Sequence, residues 1–224
     1  MEVGEMVSER VNALLCDKKQ IWMLEAGCGS ASHVHVKAAA NIVGIDISEE
    51  QLRLNTSIQE KIHGDLQDFP LPRNKFDVVV CWYVLEHLDR PQDALRNLFA
   101  STRSSGLVIL AFPNLLSFKG VGTKFTPFWF HILFYRFIRY TSRPFPTFLR
   151  REILPDRIVE FAEEQGLSVV FCELFEGSIT KTLKRRIPVL QWIFGGLDWL
   201  VKFVSFGRLQ SLLLDNCVLI LQRN

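Results

Sequence analysis

Residues 23–48 hold the feature that most constrains this chain: MLEAGCGSAS, then a short gap, then VGIDIS. An apolar run ending at Met23 and Leu24 meets Gly27 and Gly29, which permit a sharp turn and let a ligand approach the backbone. A second apolar run, Ile42 to Ile45, delivers Asp46, and an acid at a strand tip can accept both hydroxyls of a ribose. The predicted order is strand, glycine loop, helix, strand, acid, which is the start of a nucleoside-binding α/β unit.

A dinucleotide fingerprint asks for a third glycine three residues after the second, and that position is Ser32. Further on stand HGDLQDFP, with Asp65, and FDVVVCWYVLEHL, an apolar strand running into Glu86 and His87. Together these segments resemble the class I S-adenosylmethionine-dependent methyltransferases, in the branch whose fourth strand ends in a VLEHL-type segment. The resemblance covers Met23 to Asn114 and fades beyond it. It implies that Glu25, Ala26, Gly27, Cys28 and Gly29 wrap the amino acid part of S-adenosyl-L-methionine, that Asp46 with Ile47 holds the ribose, and that Asp65 and Leu66 meet the adenine. Cys81, Trp82 and Tyr83 end the fourth strand as further cofactor candidates, where the Trp82 and Tyr83 rings either cover the adenine or methionine portion or pack in the core. Where the family often has a further glycine, this chain has Ala31.

At 224 residues the chain suits one domain with sizeable insertions, and a dehydrogenase would usually need a second catalytic domain. A nicotinamide oxidoreductase is thus the disfavoured alternative. A protein that keeps the cofactor pocket but performs no transfer is another. Five scattered cysteines without a CxxC pair suggest neither a disulfide framework nor a metal site, and point to a reducing, cytoplasmic compartment. The N-terminus lacks an apolar stretch of signal length.

The net charge of +2 hides an asymmetry: residues 1–111 carry 11 Lys and Arg against 15 acids, and residues 112–224 carry 15 against 9. The second half therefore faces something anionic, such as a membrane surface.

Periodicity predicts a helix over Val7–Cys16 and strands over Ile21–Glu25, Ile42–Asp46, Lys61–Gly64, Phe76–Cys81 and Gly106–Phe112. Helices are predicted at Glu49–Ile58, capped by Ser48, and at Pro91–Ser101. A helix over Pro155–Gln165 and strands over Leu167–Phe175 and Leu212–Gln222 complete the pattern. The expected fold is α/β: a Rossmann-like, seven-stranded, mostly parallel sheet with helices on both faces. The last strand is expected to be antiparallel.

Two aromatic and basic helical insertions remain, residues 115–151 and 178–211, both leaving the sheet at its carboxyl edge, where such sheets bind ligands. From Phe112 to Arg151 stand 12 aromatics, seven Lys or Arg and no acid. The second insertion has six Lys or Arg, one acid, and Trp192 and Trp199 seven apart. Such segments either form a lid over the cleft or lie on an anionic bilayer. Asp198 and Lys202 interrupt the Ile187–Phe206 run and argue against a membrane span. The aromatics come in dense blocks rather than as spaced stacking platforms, which disfavours nucleic acid. Nothing in the sequence specifies an oligomeric state.

Methyl transfer from a sulfonium needs positioning, exclusion of water and, for a hydroxyl or neutral amine acceptor, a base. His131, among Phe128, Trp129 and Phe130, and His87, at the floor of the cleft, are the candidate bases. His33, His35 and His63 are expected to lie away from the acceptor. Asn114 either binds substrate or forms a turn. The expected acceptor is an apolar or amphipathic small molecule or lipid-like compound, methylated at oxygen.

Overall fold

The computed structural model describes residues 3–126, 133, 147–148, 150–204 and 213–224. The strands are β1 (Gln20–Ala26), β2 (Ala39–Asp46), β3 (Glu60–His63), β4 (Phe76–Trp82), β5 (Thr102–Pro113), β6 (Leu167–Phe175) and β7 (Asn216–Arg223). They form one sheet in the order β3-β2-β1-β4-β5-β7-β6, with β7 antiparallel to both its neighbours and the other pairings parallel. The central strands are apolar on both faces because both faces are covered, as parallel sheets require. On one face Leu24, Val79, Val108 and Leu110 pack with Leu95 and Leu98 of α3 (Pro91–Ser101) and Ile158 and Ala162 of α5 (Pro155–Glu164). On the other, Met23, Val78, Val80 and Ile109 pack against Val7 and Val11 of α1 (Val3–Leu14).

The helix expected after the glycine loop does not form. Residues 27–38 run from β1 to β2 as turns and extended chain, with Val34 buried beside α1. Side chains of α1 satisfy the backbone there: Ser8 Oγ accepts from His35 N at 2.9 Å, Asn12 Nδ2 donates to His35 O at 2.9 Å, and Asn12 Oδ1 accepts from Lys37 N at 2.6 Å. The sequence His33-Val34-His35-Val36 alternates with period two, a pattern of extended chain rather than helix. Helix α2 (Glu49–Leu54) stops short of the expected Ile58, because buried Asn55 caps it and turns its side-chain amide toward the glycine loop. Helix α1 starts and ends earlier than expected. Strand β5 starts four residues earlier, and β7 starts at Asn216.

Both predicted insertions leave the carboxyl edge. After β5 the chain forms α4 (Phe118–Phe125), and it returns beside β4, where Phe148 N donates to Glu86 O at 2.9 Å and Arg150 pairs with Asp89. After β6 come α6 (Ser178–Arg186) and α7 (Val189–Val204). Buried Asp215 ties both exits together: it accepts from Gly177 N and from Thr180 Oγ1 at 2.8 Å, and pairs with Lys119 Nζ of α4 at 3.6 Å. No helix among the described residues is long and apolar enough to cross a membrane.

Candidate cofactor site

Gly27 has φ +66° and a methyl group on it would stand 2.3 Å from Val84 Cγ2, so both the turn and the packing exclude a side chain. Gly27 N and Cys28 N both donate to Ile45 O, at 2.8 and 3.2 Å, which binds the loop to β2. Gly29, with φ +50°, donates its N–H to Asp46 Oδ2 at 2.8 Å, and Ser48 N donates to Asp46 Oδ1 at 2.8 Å. Asn55 Nδ2 reaches Cys28 O and Gly29 O from below, at 3.4 and 3.3 Å. The loop is thus held in shape by the protein, and Asp46 keeps spare lone pairs, since each carboxylate oxygen accepts more than one bond.

Glu25, at the end of β1, is 3% exposed. Its Oε2 accepts from Ser32 Oγ at 2.8 Å, while Oε1 is buried with no hydrogen-bond partner among the described residues. Burial raises its pKa, opposed by the Ser32 hydroxyl and by the charge of His35. A shallow, open concavity borders Glu25, Gly27, Ala31, His33 and Trp82, with an enclosed volume of about 10 Å³, room for a water-sized group. Asp46 follows at the tip of β2, paired with His63, and Asp65 lies just past β3.

His33 stacks on the Trp82 indole, with ring centroids 5.5 Å apart and 13° between planes, and Tyr83 meets Trp82 edge-on at 6.1 Å. Burial, and less so the charge of His35, lowers the His33 pKa. His33 therefore borders the concavity, and the missing helix brings it there. Tyr83 sits at φ 54°, and its N–H is held by Ala111 O at 2.8 Å.

The other expected site residues divide. Ala26 and Cys81 are buried in the core below the edge, so only their backbone is left for a ligand; burial holds the Cys81 thiol protonated. Cys28 packs with Leu52 and Ile58, its thiol pushed up to about 12 by burial and by the Asp46 and Glu25 charges. Ile47 is 71% exposed beside Asp46. Asp65 accepts from Gln67 N at 2.9 Å and from Gln67 Nε2, and the Leu66 side chain is in the core. Asn114 forms a turn: its Oδ1 accepts from Leu116 N at 3.1 Å and its Nδ2 donates to Leu214 O at 2.8 Å.

Past β4, Glu86 is buried, with Oε2 unpartnered among the described residues. Burial pushes it up to about 8, against the pull of the Lys119 charge. His87, next to it in a 3₁₀ turn, is half-buried and donates its N–H to Val84 O at 2.9 Å. His131 lies outside the described residues.

Residues 24–110 match the family described as "Methyltransferase domain". This stretch is a domain of the class I S-adenosylmethionine-dependent methyltransferases. A relative from Mycobacterium tuberculosis, named a "probable S-adenosylmethionine-dependent methyltransferase", is 28% identical over 171 residues, 73% of this chain and 55% of its own. A mitochondrial ubiquinone biosynthesis O-methyltransferase from Schizosaccharomyces pombe is 31% identical over 101 residues, 40% of this chain and 36% of its own. The structure of a SAM-dependent methyltransferase from Archaeoglobus fulgidus superposes with a TM-score of 0.56 at 17% identity, covering 98% of this chain and 94% of that one. The chain spans about half the length of the first curated relatives it matches.

The cofactor of this methyltransferase domain is S-adenosyl-L-methionine, and the residues present fit it. The bare Oε1 of Glu25 suits an ammonium group, Gly27 and Gly29 leave the backbone open, and Asp46 has acceptor capacity for a ribose. Ser32, where a dinucleotide site would have glycine, is occupied with Glu25 instead. Three contacts of this methyltransferase site are not legible in the sequence: Ser32 with Glu25, His33 on Trp82, and Val84 against Gly27. Only the HVHV alternation could have signalled one of them.

Proposed function

We propose that this chain transfers the methyl group of S-adenosyl-L-methionine to a hydroxyl of an apolar or amphipathic acceptor. The observation that carries the cofactor half is the buried Oε1 of Glu25 beside the glycine turn, unpartnered among the described residues. The acceptor half is supported by the aromatic and basic composition of residues 115–151 and 178–211, read as lids of a single domain over residues 1–224. The distant likeness to a ubiquinone biosynthesis O-methyltransferase is in keeping with an oxygen acceptor on an apolar molecule.

The bound cofactor supplies a methyl group already activated on a sulfonium. In this proposal Glu25 holds the amino group, the backbone from Ala26 to Gly29 wraps the amino acid end, and Asp46 with Ile47 receives the ribose. Asp65 and the Leu66 backbone border the adenine. Trp82 and Tyr83, with the Cys81 backbone, wall the cofactor and exclude water. His131, or else His87, takes the acceptor proton. The protein works in the cytoplasm, peripheral to a membrane surface.

The test is transfer of labelled methyl from S-adenosyl-L-methionine to a phenol carrying a long alkyl tail and to the same phenol without it. The proposal expects labelled ether from the tailed phenol and at least tenfold less from the short one. Label found on nitrogen acceptors only, or equal transfer to both phenols, would overturn it.

A further inference from the structure

Helix α7 is amphipathic the wrong way round for a helix packed on a soluble core. Its exposed positions include Val189, Trp192, Ile193, Leu197, Trp199, Leu200, Phe203 and Val204, spaced three and four apart. At 3.6 residues per turn these cover one continuous face of about 160°. Trp192 is 81% exposed and Trp199 66%, and Trp199 stacks on Phe203 at 5.4 Å. The opposite face turns inward: Phe194 stacks on Phe118 of α4 at 5.4 Å, and Asp198 is buried. A surface helix normally points its apolar stripe at the core. Here the stripe points outward, and the two tryptophans alone expose on the order of 300 Å², which marks a contact surface.

The charge around this face selects the partner. Residues 178–204 carry five Lys or Arg against one acid, and that acid, Asp198, is buried. Lys184 is engaged with Glu176 at 2.7 Å, while Lys181, Arg185 and Arg186 of α6 are exposed just before α7. An exposed apolar face with tryptophans, entered through a cluster of cations, complements an anionic headgroup layer. A second copy of the chain would bring the same positive rim. With 16 residues α7 is about 24 Å long, short of the ~30 Å hydrocarbon core, so it would lie in the plane of the surface.

We propose that α6 and α7 form a docking element that seats this protein on an anionic lipid bilayer, α7 lying in the interface with its outward face in the acyl boundary and Lys181, Arg185 and Arg186 on the headgroups. Because Phe194 seats α7 on α4 at the carboxyl edge, docking turns that edge toward the membrane, and an amphipathic acceptor reaches it from the bilayer. Only this last step rests on the proposed methyl transfer.

The test is co-sedimentation of the full chain with phosphatidylcholine vesicles and with vesicles containing phosphatidylglycerol, at 50 and 500 mM salt. The proposal expects at least tenfold stronger binding to the anionic vesicles, weakened at high salt. Trp192→Ser with Trp199→Ser should lower that binding at least tenfold while S-adenosylhomocysteine affinity, measured by calorimetry, stays at the parent value. R185E with R186E should abolish the preference for anionic lipid. Equal recovery in the supernatant with both vesicle types would overturn the docking. So would a concentration-dependent dimer, measured by sedimentation velocity without lipid, that the tryptophan substitutions dissolve. Either result, with S-adenosylhomocysteine still bound, leaves the cofactor reading standing.

Discussion

Ser32 Oγ donates a hydrogen bond to Glu25 Oε2 at 2.8 Å, across the turn made by Gly27 and Gly29. It stands where a dinucleotide site would place a glycine, and it steadies a carboxylate whose other oxygen has no partner among the described residues. Losing this bond leaves Glu25 easier to protonate, because burial already raises its pKa and the hydroxyl opposes that rise. Ser32→Ala should therefore weaken S-adenosylhomocysteine binding by about 1–1.5 kcal/mol. Calorimetry across a pH series checks this: the loss should shrink as pH rises, because a higher pH opposes the protonation that the lost hydroxyl favours.

Gly27→Ala meets two separate obstacles, a φ of +66° and Val84 Cγ2 at 2.3 Å. The conformational cost is about 1–2 kcal/mol and overpacking adds about 1–3 kcal/mol. Thermal unfolding should show a large loss for Gly27→Ala and only partial recovery when Val84→Ala is added, since the second change relieves the clash and not the dihedral. Complete recovery would assign the whole requirement to packing.

Glu86 gives a pH dependence with a definite sign. Its folded pKa is raised to about 8, above the ~4.3 of an unfolded glutamate. Between those values the unfolded chain has released the proton and the folded chain keeps it, so the contribution of Glu86 to stability falls as pH rises through this window. Glu86→Gln removes that slope. Melting temperatures from pH 5.5 to 8.5 should show the variant gaining on the parent as pH increases; a constant difference would mean Glu86 is ionised in the folded protein.

The parallel strands were legible because buried β-strands read as unbroken apolar runs, and Val78 to Cys81 and Leu107 to Phe112 are such runs. Asp46 was legible because it ends a run beside a glycine turn. Ser32, His33 and Val84 were not, because their roles depend on what faces them across the sheet edge rather than on local pattern. The absent helix after Gly29 shows the same limit. Residues 27–38 take their shape from Ser8 and Asn12, more than twenty positions away, and a local reading cannot weigh partners at that distance. In α7 the apolar period was legible, but the sequence does not say which way the face points; the Phe194–Phe118 stack decides that.

In the proposed reaction His131 takes the acceptor proton, with His87 as the rival base. His131→Ala should lower turnover by about 10²–10⁴-fold while cofactor affinity stays near the parent value. If His87→Ala shows that loss and His131→Ala does not, the base is His87. Full activity in both would mean that positioning alone drives transfer.

The central claim is a site built for S-adenosyl-L-methionine, and calorimetric titration of the parent chain and of Asp46→Ala with S-adenosylhomocysteine and with NAD tests it most directly. Asp46 is expected to accept from the ribose hydroxyls through lone pairs that Gly29 and Ser48 leave free. The account predicts binding of S-adenosylhomocysteine in preference to NAD, weakened by roughly 2–3 kcal/mol in Asp46→Ala, with the variant still folded by circular dichroism. Preferential binding of NAD by the parent, or unchanged S-adenosylhomocysteine affinity in the folded variant, would contradict it.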